Sequence, residues 1–160
     1  MNVQCTNGGG SAPCWMISVL RLAGIYNILF GIWAVGWPGE WFRISGMVAP
    51  DYPFLWQCVG MIVGVYGVGY LCASLSPLRH WPIVLVGFLG KVFGPLGFIF
   101  AASQGELPWA AGWMIIFNDI IWLLPFAVIL WHAACLAIGR PVSGEPMDLD
   151  EAMSKFHLAS

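Results

Sequence analysis

The sequence predicts an all-α, polytopic membrane protein built as a bundle of four transmembrane helices. Of its 160 residues, 59% are hydrophobic and only 9% are charged, against roughly 25% charged residues in a soluble domain. The apolar residues fall into four runs, each long enough for the about 20 residues that cross a hydrocarbon core. These runs lack the polar faces that a soluble bundle needs and the period-two alternation of barrel strands.

The first span is predicted at about residues 14–36, and Pro38 and Gly39 end it. Three tryptophans at this end are predicted to form an interfacial belt: Trp33, Trp37 and Trp41. Residues 1–13 form a polar tail without Lys or Arg, and the run that follows is longer than the core of a signal peptide. We therefore expect the first span to be retained.

The second span is predicted at about residues 53–74, after an Asp-Tyr sequence. The third span covers about residues 81–103 and has proline in its first turn, where a missing N–H costs nothing. The fourth covers about residues 110–137 and ends before a Gly-Arg-Pro sequence. The spans make one transmembrane domain, residues 14–137, and residues 138–160 are predicted to be a disordered cytoplasmic tail.

The distribution of cationic residues predicts the orientation. With four spans, both termini and the loop at residues 75–80 share one side of the membrane, which carries Arg79, Arg140 and Lys155, whereas the other side carries Arg43. Because cationic loop residues stay in the cytoplasm, we expect a multi-pass protein of the inner (plasma) membrane with both termini cytoplasmic.

Glycines at helical spacing are predicted to let the spans pack closely, because hydrophobic attraction between helices is weak in lipid. The first three spans each carry such glycines, which are Gly24 and Gly31, then Gly60, Gly64 and Gly67, then Gly87, Gly90, Gly94 and Gly97. Pro95 and Pro125 lie inside the third and fourth spans and should leave free carbonyls there.

A small polar centre is predicted inside the bundle. Lys91 lies near the middle of the third span, and Asp119 lies at a matching depth in the fourth if the two spans form a hairpin that turns near Gly105. Asn118 neighbours Asp119, and Asn27 lies at mid-depth in the first span. Lys91, Asp119, Asn118 and Asn27 are therefore the predicted ligand-binding or ion-pair residues.

Two interpretations of this centre stay open at the level of sequence. Charged residues at the centre of a membrane cost about 2.5 to 3.5 kcal/mol each, so they face the bundle interior and pair. Lys91 and Asp119 could be a structural pair without a ligand, or they could form a site for a proton, an ion or a lipid headgroup.

No catalytic or metal-binding motif is present in the sequence. The five cysteines include no Cys-x-x-Cys pair for thiol redox chemistry, and only His132 lies inside a predicted span, whereas a membrane haem needs two axial histidines. The net charge of -2 offers no basic surface for nucleic acid. These features predict no metal, no catalytic residue and no nucleic-acid partner, and they favour a protein that is not an enzyme.

Three stretches carry a family resemblance: WQCVGMIVGVYGVGY at 56–70, LRHWPIVLVGFLGKVFGPLGF at 78–98 and NDIIWLLPF at 118–126. They resemble small bacterial four-helix membrane proteins of unassigned function, which are similar in layout to the DoxX-like proteins. The resemblance implies a membrane subunit of a quinone-linked oxidoreductase, with quinone as the cofactor. Some relatives carry an alkyl hydroperoxide reductase label, which the residues do not support because that chemistry needs a thiol pair.

The leading expectation is an accessory or small-ligand-binding bundle with a buried Lys-Asp polar centre and no predicted cofactor. One alternative is a proton- or ion-coupled small transporter acting as an oligomer, and the other is the quinone-linked subunit. The expected partners are the lipid bilayer and either further copies of the chain or other membrane subunits.

Overall fold

The computed structural model describes residues 12–49 and 51–139, and the regular elements within them are all helical. The two predicted tails lie outside the described residues, except for residues 12, 13, 138 and 139. The helical elements are α1 (Cys14–Gly36), α2 (Pro38–Ser45), α3 (Pro53–Ala73), α4 (Trp81–Ser103), a 3₁₀ turn (Trp109–Ala111), α5 (Gly112–Ile115), a π turn (Ile116–Ile120) and α6 (Ile121–Gly139).

Four helical segments are long and apolar enough to cross a membrane, with mean hydropathies from 1.5 to 2.2. They are Cys14–Gly36, Pro53–Ala73, Trp81–Ser103 and Trp109–Ala137. Large aliphatic side chains cover their outer surface, such as Leu29, Val65 and Leu124, which are 61%, 71% and 75% exposed. Because lipid solvates such a surface and water does not, the fold is that of a multi-pass four-helix membrane protein, which confirms the predicted fold class.

Glycines bring α1 and α3 into the closest helix contact of the bundle. A Cβ atom added at Gly24 would lie 2.9 Å from the carbonyl oxygen of Gly67, and one at Gly31 would lie 2.7 Å from that of Gly60. Any side chain at these positions would push the two backbones apart. The predicted role of small residues in helix packing is confirmed for this pair of spans.

The glycines of α4 divide into two kinds. Gly87 and Gly94 are closely packed: an added Cβ would overlap a tyrosine ring at Gly87 and lie 2.9 Å from Asp119 Oδ2 at Gly94. At Gly90 and Gly97, however, a Cβ would meet no heavy atom within 4 Å. The predicted close packing is therefore confirmed at Gly87 and Gly94 but not at Gly90 and Gly97, where no neighbouring atom limits the space.

The helix α2 is an element that the sequence analysis did not predict. Pro38 follows the end of the first span, as predicted, but it also occupies the first turn of a new short helix. On the surface of α2, Arg43 Nε and Nη2 donate hydrogen bonds to Glu40 Oε2 at 3.1 and 2.5 Å. These hydrogen bonds lower the pKa of the Glu40 carboxyl below its ordinary value and raise the pKa of the Arg43 guanidinium.

The two ends of the bundle are built differently. At the end that holds the connection at residues 74–80, buried side chains from all four spans form the main core. Its members are Met16, Leu20, Ala23, Tyr70, Ala73, Val84, Phe126 and Ile129. The other end, which holds α2 and the connection at residues 104–108, is lined by aromatic rings and contains a cavity. We call it the α2 end.

Candidate functional site: a polar cavity between the spans

The predicted pairing of Lys91 with Asp119 is present. Lys91 is the eleventh of the 23 residues of α4, near the middle of the helix. Its Nζ atom lies 3.7 Å from Asp119 Oδ1, and the two side chains are only 5% and 8% exposed. The hairpin that brings them together turns at residues 104–108, where Gly105 adopts a φ of 77° that favours glycine.

The π turn at Ile116–Ile120 places the acceptors around Lys91. The N–H of Ile121, which follows this turn, donates to the carbonyl of Ile116, five residues back. This wider turn interrupts the α-helical hydrogen-bond ladder. The carbonyl oxygen of Asn118 accepts a hydrogen bond of 2.5 Å from Lys91 Nζ. Lys91 thus bridges a carboxylate and a backbone carbonyl of the same turn, an arrangement that the sequence analysis did not predict.

Two buried amide oxygens in this region have no hydrogen-bond partner among the described residues. Asn118 Nδ2 donates a hydrogen bond to Asp119 Oδ1 at 3.0 Å. This hydrogen bond fixes the orientation of the Asn118 amide, whose Oδ1 atom has no donor. Asn27 on α1 is only 3% exposed, and its Oδ1 atom is likewise unpaired. A buried acceptor without a donor costs about 1 to 3 kcal/mol, so both oxygens call for a partner.

All four predicted residues line one cavity of about 190 Å³, which we call the polar cavity. Asn27 comes from α1, Lys91 from α4, and Asn118 and Asp119 from the π turn. Sequence reasoning missed the contribution of α3, which supplies Tyr66 and Tyr70. Their spacing of four residues places two hydroxyl groups on one face of an apolar helix, and this pattern was the signal for them.

The composition of the polar cavity determines what it can hold. Lys91 and Asp119 compensate each other's charge, so the walls are close to neutral and an ion would lose hydration without gaining a counter-charge. The unpaired atoms are acceptors, which require a donor. Gly90 leaves open space on the α4 wall. The arrangement therefore suits a small uncharged molecule with a hydroxyl or N–H group.

The fold and this cavity define a four-span membrane protein with a compensated charge pair and unpaired acceptors at its centre. No family model, curated protein or solved structure matches the chain. Its function is therefore inferred from the geometry of the site.

Proposed function

We propose that the chain is a small-ligand-binding membrane protein whose polar cavity takes an uncharged molecule with at least one hydroxyl or N–H donor. The observation that carries the proposal is the pair of buried, unpaired amide oxygens, Asn27 Oδ1 and Asn118 Oδ1, at one cavity. A ligand donor would satisfy one of them and remove a cost of about 1 to 3 kcal/mol.

The size of the polar cavity limits the ligand. An apolar protein cavity of about 150 Å³ accommodates benzene, which has six heavy atoms. A cavity of about 190 Å³ therefore suits a molecule of about six to nine heavy atoms. Ring or chain carbons would contact Ile62 and Val63 on α3, while the donor faces the amide oxygens. A purely structural Lys-Asp pair would leave these acceptors without a function.

The experiment compares two isomers of equal size, benzyl alcohol and anisole, of which only benzyl alcohol has a donor. Each is titrated into the purified chain in lipid nanodiscs, and the thermal unfolding midpoint is measured at matched mole fractions in the lipid. We expect benzyl alcohol to raise the midpoint saturably, because a ligand that binds only the native state stabilises it. Anisole should give a smaller rise or none.

A cavity-filling variant separates binding in the polar cavity from general effects on the bilayer. Gly90→Leu fits the open space on the α4 wall, since a Cβ there meets nothing within 4 Å. It should abolish the response to benzyl alcohol. The control is Gly97→Leu, on the same helix but at the other cavity, which should keep that response. Equal responses to both isomers, or a full response in Gly90→Leu, would overturn the proposal.

A second candidate function is a proton- or ion-coupled transporter acting as an oligomer, and the π turn favours it. Such turns are frequent at functional sites, and this one holds Asp119 beside Lys91, with Pro95 buried one turn further along α4. Reconstituted vesicles that contain a pH-sensitive dye test this function. Proton flux that Asp119→Asn abolishes would support it, and wild-type flux equal to that of empty vesicles would exclude it.

We further propose that the protein lies in the inner membrane with the 74–80 connection on the cytoplasmic side. The support is the excess of cationic residues that the sequence places on that side, Arg79, Arg140 and Lys155, against Arg43 on α2 at the opposite end. Leu75 and Val48 are 70% and 92% exposed at these two ends. In intact cells, an impermeant maleimide should label Val48→Cys above the wild-type background but not Leu75→Cys, and the reverse pattern would invert the orientation.

A further inference from the structure

A second cavity, of about 270 Å³, lies at the α2 end of the bundle. We call it the aromatic cavity. Its walls come from α2, the start of α3, the end of α4 and the segment that begins the fourth span. It shares no lining residue with the polar cavity, so the two can be occupied and blocked independently.

Tryptophan rings hold the wall of the aromatic cavity together. Trp41 is only 3% exposed, and its ring stacks on that of Trp56 with centroids 5.8 Å apart and planes 16° apart. Trp113 packs against the same ring of Trp41 at 5.2 Å. The expectation that Trp41 belongs to an interfacial belt is therefore wrong, because its side chain is turned inward against α3 and α5.

Among the described lining residues, one indole N–H is buried without a hydrogen-bond partner. Trp56 lines the cavity, and its Nε1 atom is buried without a hydrogen-bond partner among the described residues. Trp Nε1–H is only a donor, so an acceptor is the one group that satisfies it. Most of the remaining lining is apolar, with Phe42, Met47, Phe98 and Met114 among its members.

We propose that the aromatic cavity binds an apolar ring compound that carries a carbonyl acceptor. The ring packs against the indole and phenyl faces, which favour offset or edge contacts with another ring. The carbonyl oxygen accepts the hydrogen bond from Trp56 Nε1. The hydrocarbon tail of a lipid, beyond its ester carbonyl, has no acceptor and would leave the indole N–H unpaired. The two cavities thus require different ligands: the aromatic cavity requires a hydrogen-bond acceptor, and the polar cavity requires a donor.

Acetophenone and cumene test the proposal, because they have the same number of heavy atoms and only acetophenone has a carbonyl. Both are titrated into the full chain in nanodiscs at equal mole fractions in the lipid, so partitioning does not enter the comparison. The readout is the indole Nε1–H resonance of Trp56, assigned with Trp56→Phe. We expect a saturable downfield shift with acetophenone, and about two- to tenfold tighter binding than cumene, as one net hydrogen bond gives.

Two variants locate the site. Gly97→Leu fills open space on the wall of the aromatic cavity and should abolish the shift, whereas Gly90→Leu, at the polar cavity, should leave it intact. Equal affinity for acetophenone and cumene, no downfield shift, or loss of the shift only in Gly90→Leu would each overturn the proposal. These results come from chains that retain Trp56, so a folding defect in Trp56→Phe would not obscure them. Failure of this proposal would not affect the proposed function, which depends on the polar cavity.

Discussion

Breaking the Lys91–Asp119 pair from one side should destabilise the protein far more than removing both charges. Lys91→Met and Asp119→Asn each take away one charge with little change in volume. Both side chains are nearly inaccessible, and Nζ and Oδ1 lie 3.7 Å apart. At that distance two unit charges attract by about 4 to 5 kcal/mol in an effective dielectric of about 20. Removing one partner leaves the other charge buried and uncompensated.

We therefore expect each single variant to lose about 3 kcal/mol of unfolding free energy, the lower end of measured values for buried pairs. The double variant should lose only about 1 kcal/mol, which is about 5 kcal/mol less than the sum of the two single losses, because it leaves no lone charge. The assay is SDS titration in mixed micelles, which gives the unfolding free energy of all four chains in one double-mutant cycle.

The pair Glu40 and Arg43 provides a matched control. Its charged atoms are closer, at 2.5 Å, but its side chains are 39% and 73% exposed. Solvent screens such a pair, so the same cycle with neutral variants of Glu40 and Arg43 should show a much smaller coupling than the cycle of Lys91 and Asp119. Additive losses at Lys91 and Asp119, with a coupling below about 0.5 kcal/mol, would refute the reasoning that the two charges compensate each other.

Two further predictions concern helix packing and the surface of α2. Gly31→Leu should destabilise the chain by about 1 to 3 kcal/mol or more in the same SDS titration, because it overpacks the contact with Gly60, whereas Gly36→Leu, in open space, should not. The pKa of Glu40 is lowered in the folded chain and can be followed by carboxyl NMR. The ionised Glu40 therefore stabilises the fold above its unfolded-state pKa, and this stabilisation is lost as the pH falls through its folded-state pKa. Arg43→Gln should raise that pKa toward its ordinary value, and an unchanged titration would contradict the assigned hydrogen bonds.

Much of the fold could be predicted because hydropathy in a membrane protein acts over whole segments. A run of about 20 apolar residues has few alternatives to a spanning helix. The pairing of Lys91 with Asp119 followed from the same logic, since two spans joined by a short turn place residues equidistant from it at the same depth. This contact between two helices could thus be predicted from the positions of the two residues in the sequence.

Other features depend on tertiary contacts and could not be predicted. The π turn adds one residue to a helix without a sequence signal, yet it places the Asn118 carbonyl on Lys91. A tryptophan just after a predicted span, such as Trp41, is typical of an interfacial anchor, but α2 places its ring against that of Trp56. Gly90 has the spacing of a packing residue, and only the positions of its neighbours show that it borders open space.

The measurement that tests the central claim most directly is the ¹⁵N signal of the Lys91 ammonium during ligand titration. The chain has two lysines, Lys91 and Lys155, so selective ¹⁵Nζ labelling gives two resonances, and Lys91→Met identifies the first. If the polar cavity binds donor ligands, benzyl alcohol will shift the Lys91 resonance saturably in bilayers, anisole will not, and Gly90→Leu will remove the shift. An unshifted Lys91 resonance, or the same shift with both isomers, would contradict the account.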